Sequence, residues 1–290
     1  MKEQLVRTLN YFKVTPHFSR PDLGGIFEAA FNAARTAGER IRQINRTVLA
    51  NTINRNRIGL EVTFLSFDQG YRPKKIAQIL SNPRLSPEQV NLALTEEVVE
   101  IVHLFLRLDH AILESRQGAV SPLSVAQYVS WLIQEKYDRS FQGILFNPAA
   151  RPDLIAQMRK HGVKQITFDI VNSSRPPNGR LFGSLANTLS RLRGSKAVVA
   201  FRPTKREHLD VSEVESTIQN VQNADEVDNI KVILGNKNTI TYESFKLKKS
   251  VHVRNDGTKN AVSSDIFGLM QEAYFEWVKD GYIQDDEMGK

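Results

Sequence analysis

Apolar residues in this chain come in short runs of two different rhythms, and the two rhythms are interleaved without a regular order. Residues 5–14 (LVRTLNYFKV), 58–67 (IGLEVTFLSF), 98–108 and 163–171 (VKQITFDIV) alternate as half-buried strands do. Between them lie stretches with helical spacing. Asp22 stands before Ile26, Phe27, Ala30, Phe31 and Ala34, and Ser121-Pro122 stands before Val125, Tyr128, Val129 and Leu132. A helix is also expected through Arg40, Ile41 and Ile44, and a short one after Ser86-Pro87-Glu88-Gln89. Such irregular mixing predicts an α+β fold with largely antiparallel sheets rather than a doubly wound parallel one.

The second half keeps this mixture. Pro152-Asp153 opens a helix that ends at His161-Gly162. Helices are expected over 181–192, 211–221 and 264–278, with strands over 144–146, 197–201 and 231–234. Residues 240–253 read as a basic hairpin that also carries Tyr242, Phe245 and His252. Asp109-His110 reads as the turn of an earlier hairpin. The polar stretch 137–143 is the best boundary, which predicts two mixed α/β lobes, 1–140 and 141–290. The last helix has an apolar stripe (Ile266, Met270, Tyr274, Trp277) that fits a core or a dimer interface equally well.

Composition narrows the functional classes. With 41% hydrophobic and 24% charged residues the chain can bury a sizeable core. It has no cysteine, which removes disulfides, thiolate nucleophiles and cysteine-ligated zinc together. No run approaches the roughly 18 apolar residues that cross a bilayer. Residues 1–7 lack the apolar core of a signal peptide, so a cytoplasmic location is expected.

The net charge is +7, and its distribution says more than its size. Residues 170–206 contain no acid and eight cations: Arg175, Arg180, Arg191, Arg193, Lys196, Arg202, Lys205 and Arg206. Residues 207–230 then invert the sign, carrying Glu207, Asp210, Glu213, Glu215, Asp225, Glu226 and Asp228 with no Lys or Arg. Lys246, Lys248 and Lys249 restore it. A one-signed face of this kind attracts phosphates and releases their counterions on binding. Those eleven cations form the expected nucleic-acid-binding set. Arg55, Arg57, Arg72, Lys74 and Lys75 form a smaller basic group. Without a zinc finger, basic zipper, RNP motif or helix-turn-helix, contacts to the backbone are expected rather than base readout.

Catalytic signatures are missing from the local sequence. No phosphate-binding glycine loop, His-Glu-x-x-His helix or Gly-x-Ser-x-Gly elbow occurs, and the six histidines stand far apart. No catalytic residue, cofactor or metal ligand is therefore assigned. Three readings remain: a DNA-binding protein, a Mg²⁺-dependent nuclease toxin using Asp169 or Glu61 with Asp68, and a basic scaffold for an acidic protein partner.

Residues 104–131 (LFLRLDHAILESRQGAVSPLSVAQYVSW) form a hairpin running into a helix, and residues 144–170 (ILFNPAARPDLIAQMRKHGVKQITFDI) form a strand, a Pro-Asp-opened helix and a return strand. With the closing helix at 261–278, this order resembles the RexA phage-exclusion proteins of lambdoid prophages. More remotely, it resembles the DNA-binding component of the Kiwa antiphage system. The resemblance implies a two-domain α+β homodimer that binds double-stranded DNA largely without sequence preference, in phage exclusion or antiviral defence. It also implies a separate small membrane protein as effector. It supplies no active-site residue.

Overall fold

A computed structural model describes residues 4–16, 22–36, 38–67, 100–115, 120–171, 180–204, 207–221, 227–255 and 261–285. Within them the chain is α+β, with twelve strands and seven α-helices, and every pairing whose register is defined is antiparallel. No helix among these residues is long and apolar enough to cross a membrane. The helix expected after Ser86 lies outside the described residues.

The chain divides into two units, but not at 140/141. Residues 1–146 and 248–290 form the larger, and 147–247 are inserted between them as the smaller. The expected C-terminal lobe is thus divided, for a reason that lies in backbone pairing. Strand β12 (Lys248–Arg254) pairs with β1 (Gln4–Thr15) from Gln4↔Arg254 to Asn10↔Lys248.

In the larger unit β2 (Ile41–Gln43), β3 (Thr47–Arg55), β4 (Leu60–Phe67), β5 (Glu100–Arg107) and β6 (His110–Ser115) complete an eight-stranded sheet. Its order is β12-β1-β6-β5-β4-β3-β2, with β7 (Leu145–Pro148) pairing β1 beside that path. The β5–β6 hairpin turns through Leu108 and Asp109, one residue earlier than expected, with Leu108 at φ 52°. Residues 38–43, expected to be helical, form a 3₁₀ turn (Gly38–Arg40) and then β2. Apolar positions so few in number satisfy either period, and pairing with β3 decides.

Alternation along each strand gives the sheet two buried faces. On one, Phe64, Val102, Leu104 and Leu113 pack under α1 (Leu23–Ala33) and α2 (Pro122–Lys136). Both helices begin as their caps dictate: Asp22 Oδ1 accepts from the Gly25 amide at 2.6 Å and Ser121 Oγ from the Ser124 amide at 3.2 Å. Val125, Tyr128, Val129 and Leu132 are fully buried, each worth about 2 kcal/mol of transfer free energy. The buried Tyr128 hydroxyl donates to the Arg40 carbonyl and accepts from the Ala50 amide, tying the helix to the β2–β3 region.

The other face is covered by α7 (Ser263–Lys279). Its apolar stripe is core: Ile266, Met270, Tyr274 and Trp277 are buried, with Tyr274 edge-on to Phe105 and Trp277 edge-on to Tyr11. The stripe therefore gives no support to a dimer interface.

The smaller unit is a four-stranded sheet ordered β11-β10-β8-β9, built from β8 (Val163–Val171), β9 (Lys196–Phe201), β10 (Val227–Leu234) and β11 (Thr239–Thr241). Helices α3 (Pro152–His161) and α5 (Val211–Val221) cover one face, where Leu154, Met158, Val214 and Ile218 meet Ile166, Phe168, Ile170, Ile230 and Val232. From α4 (Arg180–Arg191) Leu185 packs on the same core. Gly162 ends α3 at φ 66°, in the left-handed region that favours glycine.

Candidate nucleic-acid interface

The second face of the smaller sheet carries no layer of its own among the described residues. Along β8, Ile166, Phe168 and Ile170 are buried, whereas Gln165, Thr167, Asp169 and Val171 keep intermediate exposure. Register extends this face across the sheet. Val198 lies opposite Asp169 and Ala200 opposite Thr167 on β9, while Lys231 lies opposite Thr167 and Asn229 opposite Asp169 on β10. Lys196, Arg202 and Lys231 therefore share one open surface with Gln165, Thr167, Asn229, Thr239 and Thr241. Asp169 is the carboxylate there.

Asp169 is already occupied. Lys196 Nζ lies 2.8 Å from Asp169 Oδ2. That hydrogen bond, helped by Asn229 and the Lys231 charge, holds the carboxyl below its ordinary range. Arg202 Nε donates to Gln165 Oε1 at 2.8 Å, which leaves its charge unneutralised and its guanidinium presented at the β9 edge. From Lys196 to Arg202 the strand runs about 20 Å.

Arg191 and Arg193 stand just before that edge. The α4 C-terminus closes with the Arg193 amide donating to Ser190 O at 3.0 Å and the Gly194 amide to Leu189 O at 2.9 Å. Leu189 is buried and anchors the turn, while Arg193 adopts φ 55°. Both arginines are exposed, and among the described residues neither has a carboxylate within 4.0 Å. In the acidic stretch that follows, Glu215 of α5 lies 3.8 Å from Arg159, and Asp210 accepts from Ser212 and the Glu213 amide.

The eleven expected cations are divided between the two units. Lys246 sits 2.5 Å from Glu243 and over the Tyr242 ring. The hairpin expected over 240–253 is instead β11, the helical turn α6 (Tyr242–Phe245) and β12. Phe245 and Leu247 are buried, so this segment ends one core before the chain re-enters the other unit. Lys248 and Lys249 thereby belong to the larger unit, where Lys249 pairs with Glu276 at 2.5 Å. Arg180 begins α4, but its side chain, with Arg175, Lys205 and Arg206, lies outside what the structure describes. Of the smaller basic group, Arg55 is held by Asp22 at 3.1 Å, and Arg72, Lys74 and Lys75 lie outside the described residues.

Lys231 was not among the expected set. The signal was present in VDNIKVIL, where Lys231 falls between the buried Ile230 and Val232 and must face the other way. Of the nuclease carboxylates, Asp169 falls in the smaller unit and Glu61 in the larger. Glu61 accepts from Asn54, Asn56 and Gln271 in the larger unit, and Asp68 lies outside the described residues. Among the described residues no three His, Asp or Glu side chains are grouped to hold a metal ion. No protein-family model and no curated protein matches the chain.

Proposed function

We propose that the protein binds double-stranded DNA, largely without sequence preference, through the open face and β9 edge of its inserted unit. One observation carries this reading: Arg191, Arg193 and Arg202 are exposed, have no carboxylate partner among the described residues, and flank the edge strand of a face that also presents Lys231. Exposed arginines at both ends of an edge strand about 20 Å long suit contacts to several successive phosphates. The open face carries no aromatic side chain on β8, β9, β10 or β11: Phe168 is buried, and Phe201, 40% exposed at the end of β9, stands on the opposite side, opposite Ile166. Single strands are usually held by stacking bases on such rings. Phosphate contacts to a duplex remain the chemistry this surface offers.

The resemblance to phage-exclusion proteins supports placing this binding in the cytoplasm, in exclusion or antiviral defence, with a homodimer and a separate membrane effector. The test is a gel shift on two unrelated linear duplexes, run in EDTA and again in Mg²⁺. The proposal expects both duplexes to be retarded equally and recovered intact in either buffer. Mg²⁺-dependent loss of substrate would favour the nuclease reading, and no shift at 50 mM salt would favour an acidic protein partner.

A further inference from the structure

Beneath α7, the sheet of the larger unit buries polar groups that packing alone does not require. Glu114 is 3% exposed and His103 0%. Glu114 Oε2 lies 2.5 Å from His103 Nδ1, and Glu114 Oε1 lies 2.8 Å from Arg7 Nε. The other ring nitrogen, Nε2, lies 2.9 Å from Ser263 Oγ. The β5–β6 hairpin and the distant α7 thus place hydroxyl, imidazole and carboxylate in line. Sequence motifs could not show this, because the order is recognised by geometry and not by spacing.

Each link has the polarity that nucleophilic serine chemistry needs. An ionised carboxylate can only accept, so His103 Nδ1–H donates to Glu114 and Nε2 is left as an acceptor facing the serine hydroxyl. Arg7 Nε lies against the second carboxylate oxygen and holds Glu114 in this orientation. Phe267 closes the imidazole edge-on, with ring centroids 5.2 Å apart. Ser263 itself is partly exposed, so it is the route by which the buried base meets solvent. It is also the first residue of α7, where the Asp265 and Ile266 amides already donate to the Val262 carbonyl and the Ser263 and Ser264 amides are the ones placed to donate to a developing oxyanion. Arg254 is bound by Asp265 through two hydrogen bonds at this turn, so the local charge is balanced and suits an uncharged substrate.

We infer that Ser263 is a nucleophile for acyl transfer from small uncharged carboxylic esters, with His103 as general base and acid and with Glu114 and Arg7 as positioning residues. As Ser263 Oγ bonds to the carbonyl carbon, its proton passes to His103 Nε2. That proton then goes to the leaving alcohol oxygen as the ester C–O bond breaks. Water, deprotonated by the same nitrogen, attacks the acyl-serine, and the carboxylic acid leaves while Oγ recovers a proton. No oxidant or metal enters the balance.

The test uses the full-length protein and a fluorophosphonate probe, with the labelled peptide identified by mass spectrometry. The expected result is labelling at Ser263, none in Ser263→Ala, and labelling at least about a hundredfold slower in His103→Gln. Glu114→Gln is expected to slow labelling similarly, with Glu114→Asp restoring part of the rate, which a purely structural role would not do. Ser263→Ala removes one partly exposed hydroxyl, so it keeps its fold and decides the matter even where a buried variant does not. Absence of labelling in folded wild-type protein, or labelling that persists in Ser263→Ala, would overturn the assignment.

Discussion

Replacing His110 by Gln should flatten the acid limb of the stability curve. His110 is 2% exposed, and its Nδ1 lies 2.6 Å from the Tyr11 hydroxyl. Burial raises the Tyr11 phenol above its ordinary value, so that hydroxyl is the donor and the imidazole is neutral. Burial first, and then the Lys13 ammonium, push His110 from its ordinary 6.5 down to about 4, against the opposing pull of Asp109 and Asp285. In the unfolded chain the ring takes up its proton near pH 6.5, whereas in the folded protein it does so only near pH 4. Between those values the unfolded state binds more protons, so the stability present above pH 6.5 is lost as pH falls through that window. At pH 4.5 the loss from this one group is about 2.5 kcal/mol. Urea unfolding of wild type and His110→Gln, compared at pH 7 and 4.5, reads it directly. The variant's loss should be smaller by roughly that amount, although its stability at pH 7 also drops. Parallel pH dependences for the two proteins would refute the reasoning.

Three other changes follow from particular contacts. Tyr128→Phe leaves the Arg40 carbonyl and the Ala50 amide without their buried partner and should cost about 2 kcal/mol or more in urea unfolding. Gly59→Ala would set a Cβ 2.4 Å from the Leu106 carbonyl oxygen and 2.8 Å from the Phe105 ring; a loss of about 1–3 kcal/mol is expected from the same assay. Asp169→Asn removes a carboxylate, and its ion pair with Lys196, from the cationic face. It should tighten duplex binding severalfold in a fluorescence anisotropy titration, whereas a nuclease acting through Asp169 would lose its activity.

Most elements were legible because their signals are local. Strand β8 alternates cleanly over VKQITFDIV, and Asp22 and Ser121 mark helix starts with side chains that do cap them. Strand β3 escaped, since TVLANTINR is interrupted by Asn51 and Asn54 and becomes a strand through its neighbours β2 and β4. The domain boundary escaped for a different reason. That Gln4 pairs with Arg254 is a property of the whole sheet, and nothing within ten residues of either end announces it. The candidate surface was half legible. Blocks of like charge are visible in sequence, but whether a cation is neutralised depends on pairing: Lys249 meets Glu276 across the fold, while Arg191 and Arg193 meet no carboxylate among the described residues. His103, Glu114 and Ser263 share no motif in the sequence, and only the folded sheet brings them together.

The most direct test of the binding proposal is the salt dependence of duplex affinity, in wild type and in a variant with Arg191, Arg193 and Arg202 all changed to Ala. Each phosphate contact contributes about 0.9 to the slope of log K against log salt. If all three arginines meet phosphates, the variant's slope should be shallower by about 2.7, with equal weakening on unrelated sequences. A variant that keeps its circular dichroism and unfolding midpoint, yet binds with the wild-type slope and affinity, would contradict the account.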